Sequence, residues 1–294
     1  MVIPMALLEI DVGDAKLRYL TYGPEDGTMA LCLHGFPDTA HTFRYLSPHL
    51  ADRGYRVVVP FMRGYAPSSV SSRHDYSVAA LAYDAVRLHE ALSGVRPALL
   101  IGHDWGAAAA YAASSAEPSR WHHVVTLSMP PLALFAAALG DYDQLRASWY
   151  MFFFQQPRAE AVVHQDQLAF LARLWADWSP RYDASNDLGL VREALAEPEH
   201  LRAALGYYRA MFTPLEQLEI HTAQIAAHMF DPPVVPTLYL HGELDGCIRA
   251  DRLGAPLEYL APGSSFEVLK EAGHFVHLER PDAVHTSIDR FLTP

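Results

Sequence analysis

An aspartate occupies the centre of the pentapeptide Gly102-His103-Asp104-Trp105-Gly106, where a nucleophile elbow more often carries serine. The apolar run Pro97-Ala98-Leu99-Leu100-Ile101 precedes it and Ala107-Ala108-Ala109-Ala110 follows. That order reads as buried strand, sharp turn and helix, the setting in which an elbow holds its side chain up on a strained turn. Glycines on both sides permit the turn. A carboxylate attacking an acyl carbon would form a mixed anhydride, whereas on a saturated carbon bearing a leaving group it forms an ordinary ester. The electrophile to expect is therefore an sp3 carbon.

Release of such an ester needs a base that activates water, and a histidine oriented by a second carboxylate is the expected one. The stretch Leu238-Tyr239-Leu240-His241-Gly242-Glu243-Leu244-Asp245-Gly246 is a strand running into a Gly-bounded loop, which places Asp245 just past a strand's carboxyl end. Open α/β sheets bind ligands on that edge. Gly273-His274-Phe275 falls between a strand over Ser265 to Leu269 and a helix over Pro281 to Leu292, which puts His274 on the same edge. The chain order Asp104, Asp245, His274 matches nucleophile, acid, base. Glu243 and His277 are the second choices for acid and base. The alternative acid position, after the strand Val124 to Leu127, holds Ser128, which carries no charge. Water attack turns the ester carbonyl into an oxyanion, so fixed backbone donors are needed. The amide of Trp105, following the nucleophile, and that of Phe36, in the loop His34-Gly35-Phe36-Pro37, supply them.

The elements that position these residues follow from patterning. Ala30 to Leu33, Val57 to Val59, Ala98 to Ile101, Val124 to Leu127 and Thr237 to Leu240 are short apolar runs separated by segments of helical periodicity. This alternation predicts an α/β fold with a mostly parallel sheet and crossover helices, among them Thr42 to Leu50, Val78 to Leu92 and Trp105 to Ala116. Between Pro130-Pro131 and Pro232-Pro233 strand signals vanish and aromatic-rich helical stretches take over: Leu145 to Gln155, Leu168 to Trp178 and Pro198 to Phe212. Residues 1–130 and 232–294 are read as the sheet domain and 131–231 as an inserted helical cap.

At 294 residues with a net charge of −12, the chain disfavours nucleic acid and anionic membranes as partners. A small, neutral, apolar substrate suits it better. The start Val2 to Leu8 has no basic segment and soon meets Asp11, unlike a signal peptide, and no apolar run is long enough to span a bilayer. Cys32 and Cys247, the two cysteines, are far apart in sequence and make no disulfide framework, which points to a reducing cytoplasm. The 16 histidines include His34, His103 and the pair His122-His123, but no HExxH or paired His/Cys spacing accompanies them. Neither metal nor cofactor is expected. Monomer and homodimer are both compatible with the sequence.

HGFPD, GHDWG, the GELD turn and GHFVHLERP together resemble the epoxide hydrolases of α/β-hydrolase fold, over nearly the whole chain. The resemblance implies the fold with its inserted cap and the hydrolysis of an epoxide to a vicinal diol through an alkyl ester on Asp104. It also implies two cap tyrosines that bind and protonate the epoxide oxygen. In Trp149-Tyr150-Met151-Phe152-Phe153-Phe154-Gln155 and Tyr207-Tyr208-Arg209 these are Tyr150 and Tyr208, with Tyr207 as second choice for the latter. Haloalkane and fluoroacetate dehalogenases share the aspartate, the histidine and the fold. They differ at the leaving group: Phe36 stands where haloalkane dehalogenases carry Asn or Glu, Trp105 where fluoroacetate dehalogenases carry arginine, and Tyr150 and Met151 where the latter carry histidine and tryptophan. A non-catalytic ligand receptor on the same scaffold is the remaining rival, since fold does not fix function.

Overall fold

The computed structural model describes residues 6–212 and 220–293, which leaves the start of the chain, Val2 to Met5, outside the described residues. Eight strands form one sheet: β1 (Ala6–Asp11), β2 (Lys16–Tyr22), β3 (Thr28–Leu33), β4 (Tyr55–Pro60), β5 (Ala98–His103), β6 (Trp121–Leu127), β7 (Thr237–Gly242) and β8 (Ser265–Leu269). Their order is β1-β2-β4-β3-β5-β6-β7-β8. β1 pairs antiparallel with β2 and β2 with β4, and every later pairing is parallel.

The central strands are mostly apolar, with exceptions such as His122, His123 and His241, because both faces of the sheet are covered, as parallel sheets require. Alternate residues go to opposite sides. Leu31, Leu33, Val58 and Leu100 join one buried cluster, while Ala30, Cys32, Val57, Val59, Leu99 and Ile101 join the other. The helices Val78–Leu92 and Trp105–Ala116 coincide with the sequence-based bounds, as does Pro281–Leu292. Ser77 caps the first of these by accepting a hydrogen bond from the Ala80 amide at 3.2 Å.

Two segments depart from expectation. The stretch Thr42 to Leu50 is a 3₁₀ turn, Ala40–Arg44, followed by a short helix, Leu46–Ala51. Leu145 to Gln155 is likewise two helices, Tyr142–Ala147 and Trp149–Phe153, separated at Ser148. From β6 to β7 the described residues form helices and no strand. Gln165–Trp178 and Pro198–Ala210 are the long ones. Trp175 ties the first to the loops after β3 and β8: its indole N–H donates to the Pro37 carbonyl at 2.9 Å, and its ring stacks on Phe275 at 3.4 Å.

Candidate active site

β5 ends at His103, and the chain turns through Asp104 at φ 52°, ψ −117° straight into the helix Trp105–Ala116. A non-glycine residue in such a conformation is strained, and strain of this kind persists only where the surroundings enforce it. The enforcement is steric. A Cβ on Gly102 would lie 2.2 Å from the Gly106 carbonyl oxygen, and one on Gly106 would lie 2.0 Å from that of Leu33. Gly35 serves the same end from the other side, since a Cβ there would sit 2.3 Å from Asp104 Oδ1. The loop after β3 can thus close onto the carboxylate, and the Phe36 amide donates to Asp104 Oδ1 at 2.8 Å. The Trp105 amide opens the next helix, where a backbone N–H has no partner within the helix.

His274 follows β8 and faces Asp104 from the neighbouring edge. Its Nδ1 meets Asp245 Oδ2 at 2.9 Å, and its Nε2, buried and without a hydrogen-bond partner, lies 3.6 Å from Asp104 Oδ2. The loop after β7 holds Asp245 in turn, its Oδ1 accepting from the amides of Cys247 at 2.7 Å and Ile248 at 2.9 Å. Burial works against the charged imidazolium, yet the Asp245 charge, Cys247 and the contact with Asp104 outweigh it and hold the His274 pKa well above its ordinary value. Glu243 instead takes the Glu271 amide at 3.1 Å in an exposed turn, and His277 Nε2 meets Thr42 Oγ1 at 2.5 Å. Neither second choice contacts the Asp104–His274 pair.

Ser179 and Glu279, partners to which no motif reading assigned a part, are among the residues that fix the His274 backbone from several parts of the fold. Its amide donates to Ser179 Oγ and to the Trp178 carbonyl, each at 3.0 Å, and its carbonyl accepts from Ser128 Oγ and, at 3.1 Å, from His103 Nε2. Glu279 completes the cradle by accepting from the amides of Gly273 and Phe275 and from Ser179 Oγ. His34 braces the opposite loop, with Nε2 accepting from the Met62 amide at 3.0 Å and Nδ1–H donating to the Gly35 carbonyl at 2.9 Å. Burial takes its pKa down to about 4, so the ring is neutral.

Tyr150 and Tyr208 are fully buried beside this group. Tyr208 packs edge-on against Phe36, Trp105 and Tyr150 with ring centroids 5.1, 5.0 and 5.5 Å away, and its hydroxyl has no hydrogen-bond partner. The Tyr150 hydroxyl lies 3.2 Å from Cys247 Sγ. Burial and then neighbouring groups that include Asp104 hold both phenols well above their ordinary pKa, and therefore protonated. Tyr207 is differently engaged, since its hydroxyl donates to the Arg63 carbonyl at 2.7 Å. Asp104 opens onto a cavity of about 380 Å³ with walls that include Trp105, Met129, Phe135, Met151 and the ring of Tyr207. Tyr150 and Tyr208 are not among its lining residues: Tyr208 packs against Trp105 and Phe36 at the Asp104 end, and Tyr150 against Tyr208. Met151 borders the cavity, whereas Trp175 and Trp178 are buried in the packing. No helix among the described residues is long and apolar enough to cross a membrane.

Comparison with known proteins agrees with this architecture. Epoxide hydrolase A of Mycobacterium tuberculosis is 28% identical, over 97% of this chain and 96% of that protein. Epoxide hydrolase 3 of Xenopus tropicalis is 27% identical, over 94% of this chain and 74% of that protein. The crystal structure of the Bacillus megaterium epoxide hydrolase in complex with an inhibitor superimposes with a TM-score of 0.81 at 25% identity, covering 97% of this chain and 99% of the other. The profile of the α/β hydrolase fold matches residues 31–281, and the chain belongs to that family.

Proposed function

We propose that this protein is an epoxide hydrolase that converts a small apolar epoxide to a vicinal diol without a cofactor or metal. The observation that carries the reading is a buried phenol with no close hydrogen-bond partner, the Trp105 indole being its polar neighbour. Tyr208 buries a protonated hydroxyl without a close partner beside Asp104, where an opening epoxide ring develops alkoxide charge. A buried donor left unpaired costs free energy, and a substrate oxygen repays it. Tyr150 is the second donor in this reading, with Cys247 as its partner in the free enzyme. Tyr208 is preferred to Tyr207 because the Tyr207 hydroxyl is already spent on Arg63.

In the first step Asp104 attacks an epoxide carbon, the C–O bond breaks, and the alkoxide takes a proton from a tyrosine. In the second, His274 removes a proton from water, which attacks the ester carbonyl. The amides of Phe36 and Trp105 hold the oxyanion until the diol leaves and Asp104 is a carboxylate again. The proton on His274 returns through solvent to the tyrosinate. Esterification also prepares the base. It abolishes the Asp104 charge, one of the contributions that keep His274 protonated, so the imidazole gives up its proton more readily once the ester exists. The apolar cavity agrees with an uncharged substrate, and residues 131–231 act as the cap that encloses it over a core of residues 1–130 and 232–294. The names of the relatives support the same activity. Two buried free thiols suit a cytoplasmic setting, and a monomer or homodimer suffices because one chain supplies every group named.

Diol formation from styrene oxide by the purified protein tests the proposal, beside Asp104→Asn and a halide-release assay with 1-bromobutane. Diol from the wild type and none from the variant is the expected result; halide without diol would overturn it. His274→Gln is expected to form the ester but not to release it, so intact-protein mass spectra should show an adduct on Asp104 that wild type lacks.

A further inference from the structure

One side chain at the centre of the site has no task in that mechanism. Cys247 follows Asp245 by two residues, and the two amide bonds to Asp245 Oδ1 turn its thiol inward, where it is fully buried. Its Sγ, an oxygen of Asp104 and a ring nitrogen of His274 all lie within 4.8 Å of one another. We propose that Asp104, Cys247 and His274 form an inhibitory site for a thiophilic divalent cation such as Zn²⁺ or Cd²⁺.

Sulfur, imidazole nitrogen and carboxylate oxygen are the donors zinc takes, and three protein ligands with one open position make an accessible site. With metal–ligand bonds of about 2.0–2.3 Å, the edge between two ligands of a tetrahedron is about 3.4 Å. The gap from His274 Nε2 to Asp104 Oδ2 is 3.6 Å, close to that edge. His274 Nε2 is buried without a partner, and its other nitrogen is already oriented by Asp245, the arrangement that fixes metal-binding histidines. A carboxylate and a thiolate balance the dication. On binding, the thiol proton and the His274 Nε2 proton pass to solvent, and the sulfur and nitrogen lone pairs make the new bonds, with no change of oxidation state. Access runs through the cavity, whose walls include Asp104 and Ile248, the neighbour of Cys247. Asp38, His103 and His277 also bring three donors within 4.8 Å of one another, but they offer no sulfur and none of them borders that cavity.

Metal binding can be read without turnover, so this inference is separable from the epoxide reading, on which only the inhibition rests. Cd²⁺ is titrated into the purified full-length protein while thiolate-to-cadmium charge-transfer absorption is followed. The expected result is one equivalent bound, with the absorption kept in Cys32→Ala and lost in both Cys247→Ala and Cys247→Ser. Asp104→Asn should weaken binding at least about tenfold, the loss that even outer partners of a metal ligand produce. In the diol assay, Zn²⁺ should inhibit wild type reversibly by chelator. Each Cys247 variant, measured against its own uninhibited rate, should need at least about tenfold more cation. Absence of the absorption in wild type, its survival in the Cys247 variants, or equal Zn²⁺ sensitivity of wild type and variants would overturn the inference. A protein that binds Cd²⁺ through Cys247 yet makes no diol would sink the epoxide reading alone.

Discussion

Two buried clusters of carboxylate and histidine sit at the same edge of the sheet and titrate in opposite directions. In one, His274 is bonded to Asp245 at 2.9 Å and its pKa is held well above the usual value. In the other, Asp38 Oδ2, His103 Nδ1 and His277 Nδ1 are buried with no partner. There, burial takes His277 down to about 3 and His103 well below its ordinary value, and pushes the Asp38 carboxyl well up. The residue types are nearly the same, so composition does not decide the outcome. Hydrogen-bonded to Asp245, His274 holds a proton, whereas His103 and His277, buried without such a bond, are neutral props. The inert cluster also serves the active one, because His103 Nε2 anchors the His274 carbonyl.

The hardest way to break this contrast is to remove its charge. Asp245→Asn keeps the shape but withdraws the anion that fixes the His274 tautomer and favours the imidazolium. Diol turnover should fall by about 10⁴-fold, the loss expected when a triad histidine is left in the wrong tautomer. The His274 ring, followed by NMR, should then titrate lower than in wild type, toward its neutral neighbours. Unchanged turnover would mean that the Asp245 contact is structural and that the base lies elsewhere.

The adjacent tyrosines give a second contrast, of smaller size. Tyr208→Phe deletes a hydroxyl with no close hydrogen-bond partner in the free protein, so the melting temperature should hardly move, while turnover drops by about 10²–10³-fold for the loss of one preorganised donor. Tyr207→Phe deletes the bond to the Arg63 carbonyl and should cost about 1 kcal/mol of stability with turnover nearly kept. Thermal melts and kcat on the same two preparations decide it. The reversed pattern would transfer the donor role to Tyr207.

How much of this was legible in the sequence depended on whether the signal was local. The elbow, the acid turn and the histidine turn each announce themselves because a strand must end, a glycine must admit a close approach, and a helix must begin within a few residues. The helices Val78–Leu92, Trp105–Ala116 and Pro281–Leu292 were readable to the residue for the same reason. β1 and β2 went unread: both lie at the sheet's antiparallel edge, where β1 is largely exposed and β2 intersperses Lys16 and Arg18 among its apolar residues. The break at Ser148 carries neither proline nor glycine. Cys247 was visible only as a thiol, Glu279 only as part of GHFVHLERP, and Ser179 not at all. Their parts arise from contacts across the fold, such as Ser179 with Glu279, 100 positions apart. Tyr208 was preferred to Tyr207 only through the family resemblance, and in the structure the bond to Arg63 sets Tyr207 apart.

The mildest test concerns stability rather than rate. A histidine with a folded-state pKa below its unfolded value binds fewer protons folded than unfolded, so its contribution is complete above pH 6.5 and is lost as pH falls toward the folded value. His277, at about 3, therefore makes the protein less stable throughout the range below 6.5, with a slope of up to about 1.4 kcal/mol per pH unit. Asp38 acts with the opposite sign, because a carboxyl with a raised folded pKa stabilises at low pH and loses that contribution as pH rises through it. His277→Asn removes the first effect and leaves the second. Urea unfolding between pH 6 and pH 4 should give a stability-against-pH slope shallower than wild type by about 1.4 kcal/mol per unit. A constant offset of about 1 kcal/mol for the lost Thr42 bond should lie beneath it. Parallel slopes would mean that His277 takes up its proton in the folded state. Asp38 would then be ionised beside it, and the two clusters would differ in position but not in kind.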